Sequence, residues 1–183
     1  MEKFYLNENE YPEGVSSITK FDTGEYPSVV DRYFTRFYHK KTSEDGNENE
    51  DHLILYHSNR VCLIGLAQSH IAFKKGIVGI TYNIGNCDRS LNQVKGKHKK
   101  GGMNLQPLTT LAIITCKDGS EYKVLSCVTG KLIETNDRLK GNLNKLSIEG
   151  SGYVAIVLIK PENCEKAKSS LVSEKDYIPS CSF

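Results

Sequence analysis

The sequence predicts a mainly β domain, an all-β sandwich or a partly closed barrel. Three observations carry that prediction. Seven short runs rich in β-branched and aromatic residues fall between residues 53 and 159. Gly, Asn and Asp punctuate them at turn spacing, and little helical period lies between them.

Composition sets the outer bounds. The chain has 183 residues, which predicts one domain with tails and enough length to bury a core without staples. Its net charge of +2 is too small to argue a nucleic-acid protein from composition, so any basic patch is local. Mean hydropathy is −0.43, and no apolar run is long enough to cross a bilayer. Residues 1–9 lack the basic–apolar pattern of an export signal, and no Asn-x-Ser/Thr sequon occurs. The six cysteines are scattered, so an intracellular, disulfide-free protein is expected, with cysteines serving as small buried apolar residues.

Taken in order, residues 1–27 mix acids, Asn, Pro12 and Gly14 without a sustained period, and are expected to form a flexible leader. Ser28, with Asp31 three residues on, makes a capping box. Val29, Val30, Tyr33, Phe34 and Phe37 then follow helical spacing, so a short amphipathic helix is predicted over residues 28–38, its aromatics packed on the body. Residues 40–51 read as a solvated, acid-rich loop. Residues 53–57 and 60–66 are two strands joined by a Ser58-Asn59 turn, and residues 76–83 are a third. Residues 86–92 read as loop. Residues 111–116 are nearly all apolar and are expected to be buried on both faces. Asp118-Gly119 predicts a type I′ hairpin into residues 121–125. After Gly130, residues 131–135 and then 152–159 complete the strands. Beyond Pro161, residues 164–177 are predicted as one helix, with Ala167 and Leu171 on its buried face and Pro179 as its stop, padding a sheet edge. The predicted organisation is thus leader 1–27, β domain 28–161 with its acidic loop, and C-terminal helix and tail 162–183.

The residues that carry chemistry elsewhere are not arranged here for catalysis. His52 and His57 are an odd number apart in a strand and face opposite ways, while His70 and His98 stand alone. No C-x-x-C or H-x-x-x-H pair occurs, so no metal site is predicted. Ser69-His70 would point apart in a strand. G-x-S-x-G, a catalytic-cysteine signature, a P-loop and G-x-G-x-x-G are all missing, and no catalytic residue or cofactor is assigned. The densest basic cluster is Lys95, Lys97, Lys99 and Lys100, bracketed by Gly96, Gly101 and Gly102. These lysines are the candidate partner-binding residues, suited to an acidic surface; without interleaved aromatics they do not suit stacked nucleic acid.

The order Lys99-Lys100-Gly101, strand, hairpin, Ser126-Cys127-Val128-Thr129-Gly130 resembles the lipoyl/biotinyl-domain pattern, and residues 152–161 and 170–177 resemble the end of glycine-cleavage H-proteins. Val30-Asp31-Arg32-Tyr33-Phe34-Thr35-Arg36-Phe37-Tyr38, His57-Ser58-Asn59-Arg60-Val61-Cys62, Leu66-Ala67-Gln68-Ser69-His70 and Ser126-Cys127-Val128-Thr129-Gly130 together resemble the Abitram family, H-protein-like eukaryotic proteins. That resemblance implies a barrel-sandwich hybrid (the single hybrid motif). It also implies binding of G- and F-actin, and a role in transcription and in actin remodelling at cell projections such as lamellipodia. A pool in nuclear speckles beside a cytoplasmic one follows from it too, as do nuclear transcription or splicing factors as further partners. No membrane partner is expected. The rival reading is a lipoyl-carrier H-protein. Counting back from Ser126, the carrier position falls on Gly119; Lys117, the nearest lysine, is two positions too early, and Cys127 stands where the carrier pattern has Pro. The carrier reading is therefore disfavoured.

Overall fold

The structure, a computed structural model, describes residues 27–41, 43, 46, 48–96 and 100–177. The leader up to residue 26 and Pro179 lie outside the described residues.

Ser28 opens α1 (Val29–Tyr33) as its N-cap, and the capping box is complete: the Asp31 N–H donates to Ser28 Oγ, and the Ser28 N–H donates to the Asp31 carboxylate. The helix ends there. Residues predicted to continue it form β1 (Phe34–His39), paired over six residues with β2 (His52–His57). Phe34, Phe37 and Tyr38 satisfy a helical period, yet β-branched and aromatic composition suits a pleated surface, and the long antiparallel ladder outweighs one capped turn.

Strands lie within each of the seven runs the sequence marks out. β2 turns through residues 58–60 into β3 (Val61–Leu66), and a short α2 (Ile71–Lys75) leads to β4 (Ile77–Thr81). β5 (Asn83–Ile84) follows, and its partner β6 (Cys87–Asp88) and a 3-10 turn, Arg89–Leu91, occupy the loop expected over residues 86–92. β7 (Asn104–Leu105) precedes the hairpin of β8 (Thr110–Cys116) and β9 (Glu121–Leu125). β10 (Gly130–Thr135), α3 (Arg138–Gly141), the 3-10 turn Leu143–Ser147 and β11 (Ala155–Leu158) follow. The C-terminal helix α4 covers only Cys164–Ser169 and gives way to β12 (Val172–Ser173). Ser169 and Ser170 turn their hydroxyls back to the carbonyls of Lys166 and Ala167, which competes with continued helix. Val172 then pairs with Tyr38 at the edge of β1, so a strand rather than a helix pads that edge.

Among the described residues the sheets are a seven-stranded one, β12-β1-β2-β3-β11-β10-β7, a three-stranded one, β4-β8-β9, and the pair β5-β6. The fold is mainly β, as predicted. Ile54, Ile64, Leu132 and Val157 from the large sheet share one core with Leu111, Ile114, Tyr122 and Val124 from the small one. A second cluster of Val30, Leu53 and Leu55, joined by Phe34, Tyr38 and Leu63, lies apart from it. The strand buried on both faces is therefore β2, whose residues 52–56 are all buried; β8, expected to be so, half-exposes Ile113 and Thr115.

Two further expectations change. The 117–119 loop is not type I′, because Asp118 does not take positive φ. It is a three-residue loop in which the Gly119 N–H donates to the Cys116 carbonyl and Gly119 alone of the three is left-handed, at φ 80°. Asp118 instead accepts from the Ser120 N–H and hydroxyl. The acid-rich loop is not wholly solvated: Asn49 and Asp51 are buried, and Lys41 pairs with Glu50.

Candidate functional site

The register of β1 against β2 builds a concavity. Arg36 lies opposite Leu55 and Tyr38 opposite Leu53, while Leu55 and Leu53 lie opposite Leu63 and Gly65 of β3. These residues share the face turned away from the main core. Gly65 adds no side chain to that floor, which it shares with the Gly152 carbonyl oxygen 3.7 Å from where a Cβ would stand. The result is a groove of about 450 Å³ with a floor of Leu53, Leu55 and Leu63. Residues 146–150, Tyr153, Glu174 and Tyr177 contribute to its lining.

Its polar rim centres on Arg36. The guanidinium donates from Nε to Glu149 Oε1 at 2.6 Å and from Nη2 to Glu149 Oε2 at 2.8 Å, a bidentate pair. Nη2 also meets Asp31 Oδ1 at 2.5 Å, and Glu174 Oε1 lies 3.7 Å from Nε. Bonds from Ser28 and then Arg36 hold the Asp31 carboxyl below its usual range. Three carboxylates face one cation, so the rim carries an excess of two negative charges.

Tyr177 closes one part of the groove. Its ring stacks on Tyr38 with centroids 3.7 Å apart and planes within 5°. Its hydroxyl donates to Asp51 Oδ2 at 2.7 Å and sits 2.9 Å from Ser69 Oγ. Burial pushes the phenol pKa upward, which keeps it a donor. Asp51, fully buried, also accepts from the Lys41 N–H and the Asn49 amide.

The candidate basic cluster lies elsewhere. The Lys95 and Lys100 backbones exchange both hydrogen bonds, at 2.9 and 3.0 Å, and both side chains are exposed. They form the base of a hairpin whose Lys97, His98 and Lys99 lie outside the described residues. Lys117 is exposed at the start of its loop; its N–H donates to the Gly76 carbonyl, and its stem lies over Gly76. Gly119 occupies the later loop position. Cys127 has φ 59°, a left-handed conformation closed to Pro, so this backbone cannot take the carrier pattern at that position.

The histidines are less solitary than their spacing implies. His39 pairs with His52 across the strands, and His70 stands edge-on to His52 with ring centroids 6.2 Å apart. Ligand atoms of His39, His52 and Cys127 lie within 4.8 Å of one another. His52 and Cys127 are buried and each makes a hydrogen bond, while His39 is half-buried and, like His52, has a buried Nδ1 without a hydrogen-bond partner. His52 Nε2 accepts the Leu125 N–H at 3.0 Å, and the Cys127 thiol donates to the Leu125 carbonyl at 3.5 Å. A neutral ring accepting at Nε2 carries its proton on Nδ1, so a metal ion would have to displace that proton or the Leu125 N–H. Burial lowers His52 to about 3 and His70 to about 4. Ser69 and His70 are not in a strand: Ser69 bonds Tyr177, and His70 Nδ1 caps α2 by accepting the Ala72 N–H. The five described cysteines are free thiols.

Sequence reasoning missed Arg36, Glu149 and Tyr177. On the helix expected over residues 28–38 Arg36 falls opposite the aromatics; read as a strand, the same residues set it between Phe34 and Tyr38 on one apolar face, which is the signal the sequence carries. Glu149 and Glu174, more than a hundred residues away, carry no local mark of that meeting.

These features define a single mainly β module whose recognisable surfaces are an anionic-rimmed apolar groove and a separate basic hairpin. No family model matches the chain. A Drosophila melanogaster protein, Protein Abitram, is 46% identical over 182 residues, covering 97% of this chain and 82% of its own length. The human Protein Abitram is 45% identical over 159 residues, covering 82% of this chain and 85% of its own. The Dictyostelium discoideum protein of that name is 37% identical over 133 residues, with coverages of 71% and 74%. The chain belongs to the Abitram family. Among solved structures, a glycine cleavage system H protein from Mycobacterium marinum is similar at 12% identity and TM-score 0.47, covering 78% of this chain and 93% of its own. The match to the Drosophila protein extends into the leader, since residues 28–183 make up less than 97% of the chain.

Proposed function

We propose that this protein is a non-catalytic binding protein that engages actin and modulates transcription and actin remodelling, in the nucleus, including speckles, and in the cytoplasm and cell projections. Membership in the Abitram family carries this reading, through the activity that the family resemblance implies. Lys95, Lys97, Lys99 and Lys100 are the residues proposed to meet the acidic partner surface, because lysines this close in sequence attract anionic patches at long range. Nuclear transcription or splicing factors are proposed as further partners.

Co-sedimentation of the full chain with filamentous actin tests the reading. The protein pellets with filaments, and the bound fraction falls as salt rises. A folded chain, verified by circular dichroism, that stays in the supernatant at low salt overturns it.

A further inference from the structure

The groove over Leu53, Leu55 and Leu63 is distinct from the basic hairpin and has the opposite charge. We propose that it is a docking site for a cationic amphipathic segment of a partner protein: apolar side chains against the half-buried Leu63 and the exposed Ile148, and a neighbouring Lys or Arg on the rim carboxylates.

Four observations identify the occupant. First, among the described residues the rim sets Asp31, Glu149 and Glu174 against Arg36, with Lys40 the next cation, over the Tyr177 ring. Glu149 is consumed by the bidentate pair, but Glu174 lies 3.7 Å away and its side chain is 57% exposed, so its oxygens remain open to an incoming cation. Second, the groove margin carries exposed apolar residues. Ile148 on its lining is 54% exposed, and on α1, which contributes Asp31 to the rim, Val29 and Tyr33 are 59% and 55% exposed. Apolar surface of this kind beside a concavity marks protein contact. Third, Tyr38, Tyr153, Tyr177 and Arg36 all line the groove, and tyrosine and arginine are the residue types that dominate protein interfaces. Fourth, the leader is a poor occupant on charge. Residues 1–26 hold six acidic residues against two lysines, and would meet an already anionic rim.

The groove's geometry also explains why an extended or single-turn segment fits. The floor is the outer face of two paired strands, with side chains in one plane at Leu53, Leu55 and Leu63. Gly65 adds no side chain to it, and Gly152 lets the 145–148 turn pack close beside it: a Cβ on Gly152 would collide with the carbonyl oxygen of Lys145.

The inference is independent of actin binding, and its test uses no actin. A random-peptide display library is selected on the immobilised full chain. Enriched peptides are synthesised and their affinity measured for wild type, Ile148→Asp, Glu174→Lys and the double variant Lys95→Glu/Lys100→Glu. Ile148 and Glu174 are surface residues, and circular dichroism verifies that each variant is folded. The expected result is enrichment of apolar residues flanked by Lys or Arg. Affinity falls roughly tenfold in Ile148→Asp and in Glu174→Lys and stays unchanged in the hairpin variant. No enrichment, enrichment of acidic or uncharged peptides, or binding insensitive to both groove variants overturns the proposal.

Discussion

Arg36 and Glu149, 113 residues apart, meet in a bidentate pair that fastens β1 to the 147–150 segment. The contact is partly buried, with side-chain exposures of 18% and 28%, so it is screened less than a surface bridge. It fixes one wall of the groove to the floor. Arg36→Ala removes both bonds and leaves Glu149 without its cation. Chemical denaturation of this variant is expected to show a loss of about 1–3 kcal/mol. Arg36→Lys recovers only part of it, because an ammonium cannot make the fork-shaped contact. Equal stability of Arg36→Lys and wild type would remove the bidentate pair from the account.

Two buried histidines make stability depend on pH above the carboxylate range. His52 and His70 have folded pKa values lowered from 6.5 to about 3 and about 4, chiefly by burial. A lowered histidine pKa means that the unfolded chain binds more protons below pH 6.5. Stability is therefore full above about pH 6.5 and declines as pH falls, each histidine contributing a loss of about 3 kcal/mol by pH 4. Urea midpoints measured from pH 7 to pH 4 read this slope. His52→Gln, whose side-chain oxygen can still accept the Leu125 N–H, should flatten it; an unchanged slope would mean that His52 is not the buried neutral group described.

The Tyr177 hydroxyl completes the donors around the buried Asp51, while its ring covers Tyr38. Tyr177→Phe keeps the stack and loses the bond, which is expected to cost about 1–2 kcal/mol. Tyr177→Ala loses both and should cost more, with looser protection of the β1 edge in hydrogen exchange. If Phe and Ala variants are equally stable, the stack contributes nothing measurable.

Arg60 and Gly119 occupy the same place in two hairpins. Each ends a three-residue loop in the left-handed region, at φ 72° and φ 80°. Gly119→Ala introduces strain into open space and is expected to cost about 1 kcal/mol. Arg60→Gly relieves strain and is expected to raise stability by a few tenths to about 1 kcal/mol. Thermal denaturation distinguishes the signs; destabilisation in Arg60→Gly would show that the Arg60 side chain outweighs its backbone.

The strands were legible in the sequence where turn residues bracket a short apolar run, as at residues 53–66 and 111–125. β1 was not, because Val29, Val30, Tyr33, Phe34 and Phe37 fit a helix while Phe34, Arg36 and Tyr38 fit a strand, and the choice was made by β2, a partner distant in the chain. The stop of α4 was hidden for a related reason: Leu171 continues the helical face, but Val172 is claimed by Tyr38. The backbone pairing of Lys95 with Lys100 could be expected locally because Gly96 and Gly101 lie beside them. The groove could not, since its floor, rim and lid come from four separate segments.

The central claim, that this is an actin-engaging member of its family acting through a basic hairpin, meets its most direct test in one comparison. Wild type and the variant with Lys95, Lys97, Lys99 and Lys100 all changed to Glu are co-sedimented with filamentous actin at low ionic strength and at about 0.15 M. Wild type is predicted to pellet at low salt and less at the higher salt, while the charge-reversed variant stays in the supernatant at both. Wild type that fails to pellet while folded, or a variant that pellets as well as wild type, would contradict the account.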